Sequence, residues 1–91
     1  MRGIMIRIRE TYKNDRLVGF EISGHSNADV CAAVSALSQA AITAAVNYCQ
    51  HVSYHFAPGC TSLFVVDITD KAEAVLTTNL AVIKEIIKKS G

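Results

Sequence analysis

The sequence predicts a two-layer α+β domain: one mixed or antiparallel four-stranded sheet carrying two helices, in the order β-β-α-β-β-α. Three observations lead there. Apolar and polar residues alternate over the first two dozen positions, the signature of half-buried strands. A long alanine-rich stretch follows from Val30. The chain closes on a segment whose Val75, Leu76, Leu80, Ile83, Ile86 and Ile87 recur at helical spacing.

Taken in order, Ile4, Ile6 and Ile8 alternate with Met5, Arg7 and Arg9 to give a first strand. Lys13-Asn14-Asp15 reads as a turn. Leu17 to Ser23 forms the second strand of a hairpin, with Val18, Phe20 and Ile22 on one face. Gly24 ends it and frees the backbone for a short loop. The first helix runs from about Val30 to Cys49. Its apolar side is expected to be Val30, Ala33, Leu37, Ala41, Ala44 and Tyr48, with Cys31, Ser35 and Ser38 on the polar side. Gln39, Thr43, Asn47 and Gln50 read as a solvated edge. Val52 to Phe56 makes a short third strand, and Pro58-Gly59 turns the chain. Leu63 to Ile68 is nearly continuous apolar, as in a central strand buried on both faces, and Asp67 is expected to end it at solvent. Asp70-Lys71-Ala72-Glu73 resembles a capping box with Asp70 as the cap. Strand order stays open at this level.

Ninety-one residues, 51% of them apolar, make a single domain over residues 1–91 with one core and apolar surface to spare. A net charge of +1 without a basic block argues against direct nucleic-acid binding. Three cysteines without framework spacing point to a reducing cytoplasm. The N-terminus alternates charge with apolar residues and so is not a signal peptide, and the run from Val30 to His55 carries too many polar residues for a membrane span. Cys49, His51, His55 and Cys60 lie close in sequence but match no zinc pattern, so neither metal nor cofactor is expected.

The chemistry concentrates in Ser23-Gly24-His25-Ser26-Asn27-Ala28-Asp29-Val30-Cys31. Asp29 can cap the first helix or orient the site. Cys31 then falls in the first turn, where the positive end of the helix dipole favours the nucleophilic thiolate. His25 can fold back to act as its acid–base partner. Backbone N–H groups of Cys31 and Ala32 are candidate oxyanion donors, and Ser35 can line the cleft. The bland alternatives are a cysteine serving as a small buried hydrophobe and a histidine that only binds water or a backbone group.

The same residues carry a resemblance. Gly24-His25 followed by Asp29-Val30-Cys31-Ala32-Ala33-Val34-Ser35-Ala36-Leu37 resembles the ribosomal-processing cysteine proteases called Prp. Their members read Gly-His, a loop, then Asp-Ile-Val-Cys-Ala-Ala-Val-Ser-Ala-Leu. The loop is shorter here, and the aspartate stands two residues before the cysteine rather than three. The resemblance implies a cytoplasmic, homodimeric endopeptidase that removes an N-terminal extension from the twenty-seventh ribosomal protein of the large subunit. It puts the nucleophile on Cys31 and the histidine on His25. The competing classes are a non-catalytic ribosome-associated binding module and a thiol redox protein. The second lacks a resolving cysteine near Cys31 in sequence.

Overall fold

The computed structural model describes residues 5–90, so Ile4 of the first predicted strand lies outside the described residues. Four strands and two helices follow in the expected order: β1 (Met5–Lys13), β2 (Arg16–His25), α1 (Ala28–Tyr48), β3 (Val52–Ala57), β4 (Cys60–Val65) and α2 (Asp70–Ser90). The sheet is antiparallel throughout, in the spatial order β1-β2-β4-β3.

Two hairpins build this sheet. Asn14 and Asp15 both take positive φ (54° and 64°), the primed-turn backbone that matches strand twist, and they join β1 to β2. In that hairpin Thr11 pairs with Gly19 and Tyr12 with Leu17. Val18 is therefore skipped, a β-bulge that upsets simple alternation. Leu17, Phe20 and Ile22 join the main core, whereas Val18 is buried outside it. In the second hairpin Ala57 pairs with Cys60 across Pro58-Gly59. The two hairpins meet along β2 and β4, which pair from Gly19↔Phe64 to Ser23↔Cys60.

Both helices lie on one face. The core between them and the sheet holds Phe20, Ile22, Leu63 and Val65 from strands, and Val34, Ala41, Ala45, Leu76, Leu80 and Ile83 from helices. The buried stripe of α1 is Val30, Val34, Ser38, Ala41, Ile42, Ala44 and Ala45. This corrects the expected face: Ser38 is 0% exposed and Tyr48 is 47% exposed. Ser38 can be buried because its hydroxyl donates to Val34 O at 2.7 Å, which satisfies the polar group within the helix. Gln39, Thr43, Asn47 and Gln50 are exposed, as the solvated edge required. By length and hydropathy alone α1 could cross a membrane, against the reading that it is too polar, and its apolar stripe is used instead for packing in this fold.

β4 is central but not buried on both faces. It ends at Val65; Phe64 is 43% and Val66 66% exposed. With both helices on one side, the other face of the sheet is open, and a continuous apolar run does not require cover on both sides. Asp67 lies just beyond the strand. Its carboxylate accepts the N–H groups of Gln50 (2.8 Å) and His51 (2.8 Å), so it ties the α1–β3 connection to the end of β4.

The cap of α2 is also one residue earlier than expected. Thr69 Oγ1 accepts from Ala72 N and Thr69 O from Glu73 N, while Asp70 is already helical. Glu73 is thereby freed for another task. It accepts Leu17 N–H at 2.8 Å and Arg16 Nε–H at 2.9 Å, and Asp70 accepts from Arg16 Nη2 at 2.6 Å. These contacts pin the start of β2 to the start of α2.

Two expected outcomes follow from this packing. Leu76 is fully buried, so Leu76→Ala should lower unfolding free energy by ~3 kcal/mol in urea titration. The Leu17 amide and then Arg16 hold the Glu73 carboxyl below its ordinary pKa, and the Gln50 and His51 amides do the same for Asp67. The unfolded chain therefore binds these protons more readily than the fold does. The stability they supply is complete above about pH 4.5 and is lost as pH falls through the folded values. Urea midpoints should drop on acidification, and Glu73→Gln should flatten that acid slope.

Candidate active site

The functional block sits where β2 leaves the sheet. Gly24 has φ +115°, and a Cβ there would collide with the Met5 carbonyl, so only glycine fits against β1. Its N–H donates to Gly59 O at 3.0 Å, which carries the β2–β4 pairing into the β3–β4 turn. His25, exposed, is the last residue of β2. Its imidazole lies against Gly59: a Cβ built on that glycine would stand 3.0 Å from Cε1 and 3.4 Å from Nε2.

Two residues later the helix begins. Asn27 is the N-cap, accepting Val30 N–H at Oδ1 (2.9 Å). This corrects the assignment of the cap to Asp29, which lies inside the first turn and there complements the helix dipole. The shift moves Cys31 to the fourth helical position. Its N–H already donates to Asn27 O at 3.0 Å, and Ala32 lies one step deeper in the helix and is exposed. The amides of Cys31 and Ala32 are thus engaged as helix bonds rather than held free for an oxyanion. Ala28 and Asp29, one turn earlier, carry N–H groups without an intrahelical acceptor.

The Cys31 side chain is half-buried, and Sγ contacts Ser26 O at 3.4 Å as a thiol donor. It lines a small pocket of about 40 Å³ with Ile6, Ile22, Gly24, Val34, Ser35, Gly59 and Thr61. Ser35 therefore does border the cleft, one helical turn beyond the cysteine. Among the described residues no hydrogen bond joins Cys31 to His25, although both sit at this end of the sheet, the thiol on the pocket wall and the imidazole against Gly59.

Two features here have no local signal in the sequence. Gly59 reads there only as a turn residue, and nothing nearby couples it to His25, thirty-four positions away. Cys60, the first residue of β4, also borders the pocket, so a second cysteine is closer in space than in sequence. Cys49 is remote from it, buried with its sulfur 3.7 Å from Thr69 Oγ1. Among the described residues no three His, Cys, Asp or Glu side chains gather as a metal site.

Cys31 combines a place in the first helical turn with access to the pocket. Limited alkylation at neutral pH, followed by peptide mass spectrometry, should label it before Cys49 and Cys60. Earlier labelling of either would remove the basis for choosing Cys31.

The family model for cysteine protease Prp matches residues 5–91. No curated protein matches the sequence. Among solved structures, the essential ribosomal processing protease Prp from S. aureus, in complex with a covalently linked product peptide, is similar with a TM-score of 0.78 at 23% identity. That match covers 94% of this chain and 91% of the other. The same protease with a substrate peptide gives 0.76 at 20% identity, covering 92% and 90%. SMU.848 from Streptococcus mutans gives 0.75 at 25% identity, covering 96% and 87%. With a family match over nearly its whole length and this shared fold, the chain belongs to the cysteine protease Prp family.

Proposed function

We propose that this protease removes the N-terminal extension of the twenty-seventh ribosomal protein of the large subunit in the cytoplasm, with Cys31 as nucleophile and His25 as its acid–base partner. The observation that carries this reading is the pocket at the end of the sheet, which has Cys31 on its wall and at its rim Gly59, against which the His25 ring lies. The S. aureus relative, in complex with a substrate peptide, supports a peptide as the ligand.

The chemistry follows from the two side chains. The thiol hydrogen passes from Sγ to an imidazole nitrogen. The thiolate attacks the scissile carbonyl carbon, and the C–N bond breaks as the imidazolium protonates the departing amine. Water then attacks the thioester carbonyl while His25 takes one of its protons, the C–S bond breaks, and the imidazolium returns that proton to Sγ. The extension leaves as a carboxylic acid, which ionises to solvent. At rest the thiol donates to Ser26 O, a contact that breaks as its hydrogen passes to the imidazole. Catalytic hydrogen bonds are often loose without substrate and tighten in the complex.

The active unit in this reading is a twofold homodimer. Tyr54 (58% exposed) and Phe56 (39% exposed) face the helix side of the sheet but are not covered by the chain's own helices. They border an open groove of about 490 Å³ with Ala36, Ala40 and Ile42 of α1. A second copy would cover this apolar surface with small residues that permit close approach, and each Cys31 pocket would stay open to peptide.

The deciding experiment incubates the purified protein with the full-length ribosomal protein and sequences the product's N-terminus. A single cut at the end of the extension is expected, with none from Cys31→Ala. His25→Ala should retain the circular dichroism of the fold and lose ~10²–10⁴-fold in rate. An unchanged rate would remove His25 from the mechanism. Sedimentation equilibrium at micromolar concentration should give a dimer, and Tyr54→Glu should shift it towards monomer.

A further inference from the structure

We infer that Gly59 is a positioning residue for catalysis: the missing side chain at this turn leaves the berth in which the His25 imidazole lies beside the Cys31 pocket. The inference rests on the assignment of His25 as the acid–base group.

Three observations converge on it. A Cβ on Gly59 would press on His25, with Cε1 at 3.0 Å, tighter than an ordinary contact, Nε2 at 3.4 Å and Nδ1 at 3.8 Å. All three atoms belong to the N–C–N edge of the ring, the edge that must exchange protons. Separately, Gly59 O accepts Gly24 N–H at 3.0 Å, so the turn is bonded to the residue immediately before the histidine. Finally, Gly59 borders the same pocket as Cys31.

The constraint is therefore double. Gly59 has φ +79°, which favours glycine for backbone reasons at the second turn position after Pro58. That need alone would be met nearly as well by asparagine, which tolerates left-handed backbone. Asparagine still carries a Cβ, and a Cβ at 3.0 Å from Cε1 makes the exposed ring give by a few tenths of an ångström. The backbone requirement and the ring's requirement thus separate experimentally. Displacements of about 1 Å in reacting groups lower rates by ~10²-fold, so a shift of a few tenths lowers them about fourfold.

The test compares Gly59→Asn, Gly59→D-Ala and His25→Ala, using a synthetic peptide copy of the ribosomal protein's N-terminal segment. D-alanine accepts positive φ and places its methyl on the opposite Cα bond, away from His25. Gly59→Asn should lower kcat about fourfold with KM within about 1.5-fold, because binding does not use the imidazole edge. Thermal unfolding should remain cooperative in Gly59→Asn, and the Gly59 Hα to His25 Hε1 nuclear Overhauser effect should be present in the parent protein and in Gly59→D-Ala, whose remaining Hα takes the ring-facing bond. Gly59→D-Ala should keep kcat within about 1.5-fold of the parent protein. A Gly59→Asn enzyme with near-parental kcat, beside an inactive His25→Ala, overturns the positioning role and spares the histidine assignment. Equal losses in the Asn and D-Ala enzymes overturn it as well, since they would reflect the turn and not the ring. An active His25→Ala overturns the histidine assignment itself, so the two failures are told apart.

Discussion

The hydrogen bond from Gly24 N–H to Gly59 O organises this molecule more than its length suggests. It closes the last step between the two hairpins, at a point where both partners have positive φ and no side chain. Without it, the last two residues of β2 would be tied to the sheet through β1 alone. With it, they and the β3–β4 turn form one surface from which the histidine projects and beside which the cysteine helix starts. Both glycines are held to their identity by contact: one abuts the Met5 carbonyl, the other the imidazole. The pocket end of the fold is thus built from backbone approach, which side-chain periodicity does not encode.

That distinction explains what could be read in the sequence. Element order followed from hydrophobic period, and the strands and helices lie where the pattern put them to within a few residues. The caps did not. At both helices an aspartate drew the assignment, yet Asn27 and Thr69 hold the caps, while Asp29 and Asp70 sit in the first turns. Asp is favoured at both places, by hydrogen bonding at the cap and by the dipole one step on, so residue type alone does not separate them. The displacement matters because it moved Cys31 from a free amide to an engaged one.

Other departures have equally local causes. Ser38 looked polar and is core, because a serine can satisfy itself on the preceding turn. Phe64 and Val66 looked buried and are exposed, because the helices cover one face of the sheet. Val18 broke the alternation through a bulge that no residue type announces. The Gly24-His25 and Cys31 block was legible as a motif, whereas the contact of Gly59 with His25 depends on a strand register joining distant segments.

The carboxylate of Asp67 has a consequence at the far end of the molecule. It grips the amides of Gln50 and His51, immediately after α1, and so anchors that helix at its C-terminal end. Cys31 rides near the other end. A helix of 21 residues spans ~30 Å, so the Asp67 anchor and Cys31 lie near its opposite ends. A tilt of one degree about the anchored end would move the other by ~0.5 Å, against which the core packing from Val30 to Ala45 also holds it. In the proposed mechanism, accuracy at the sulfur is then partly a property of a carboxylate that never meets the substrate.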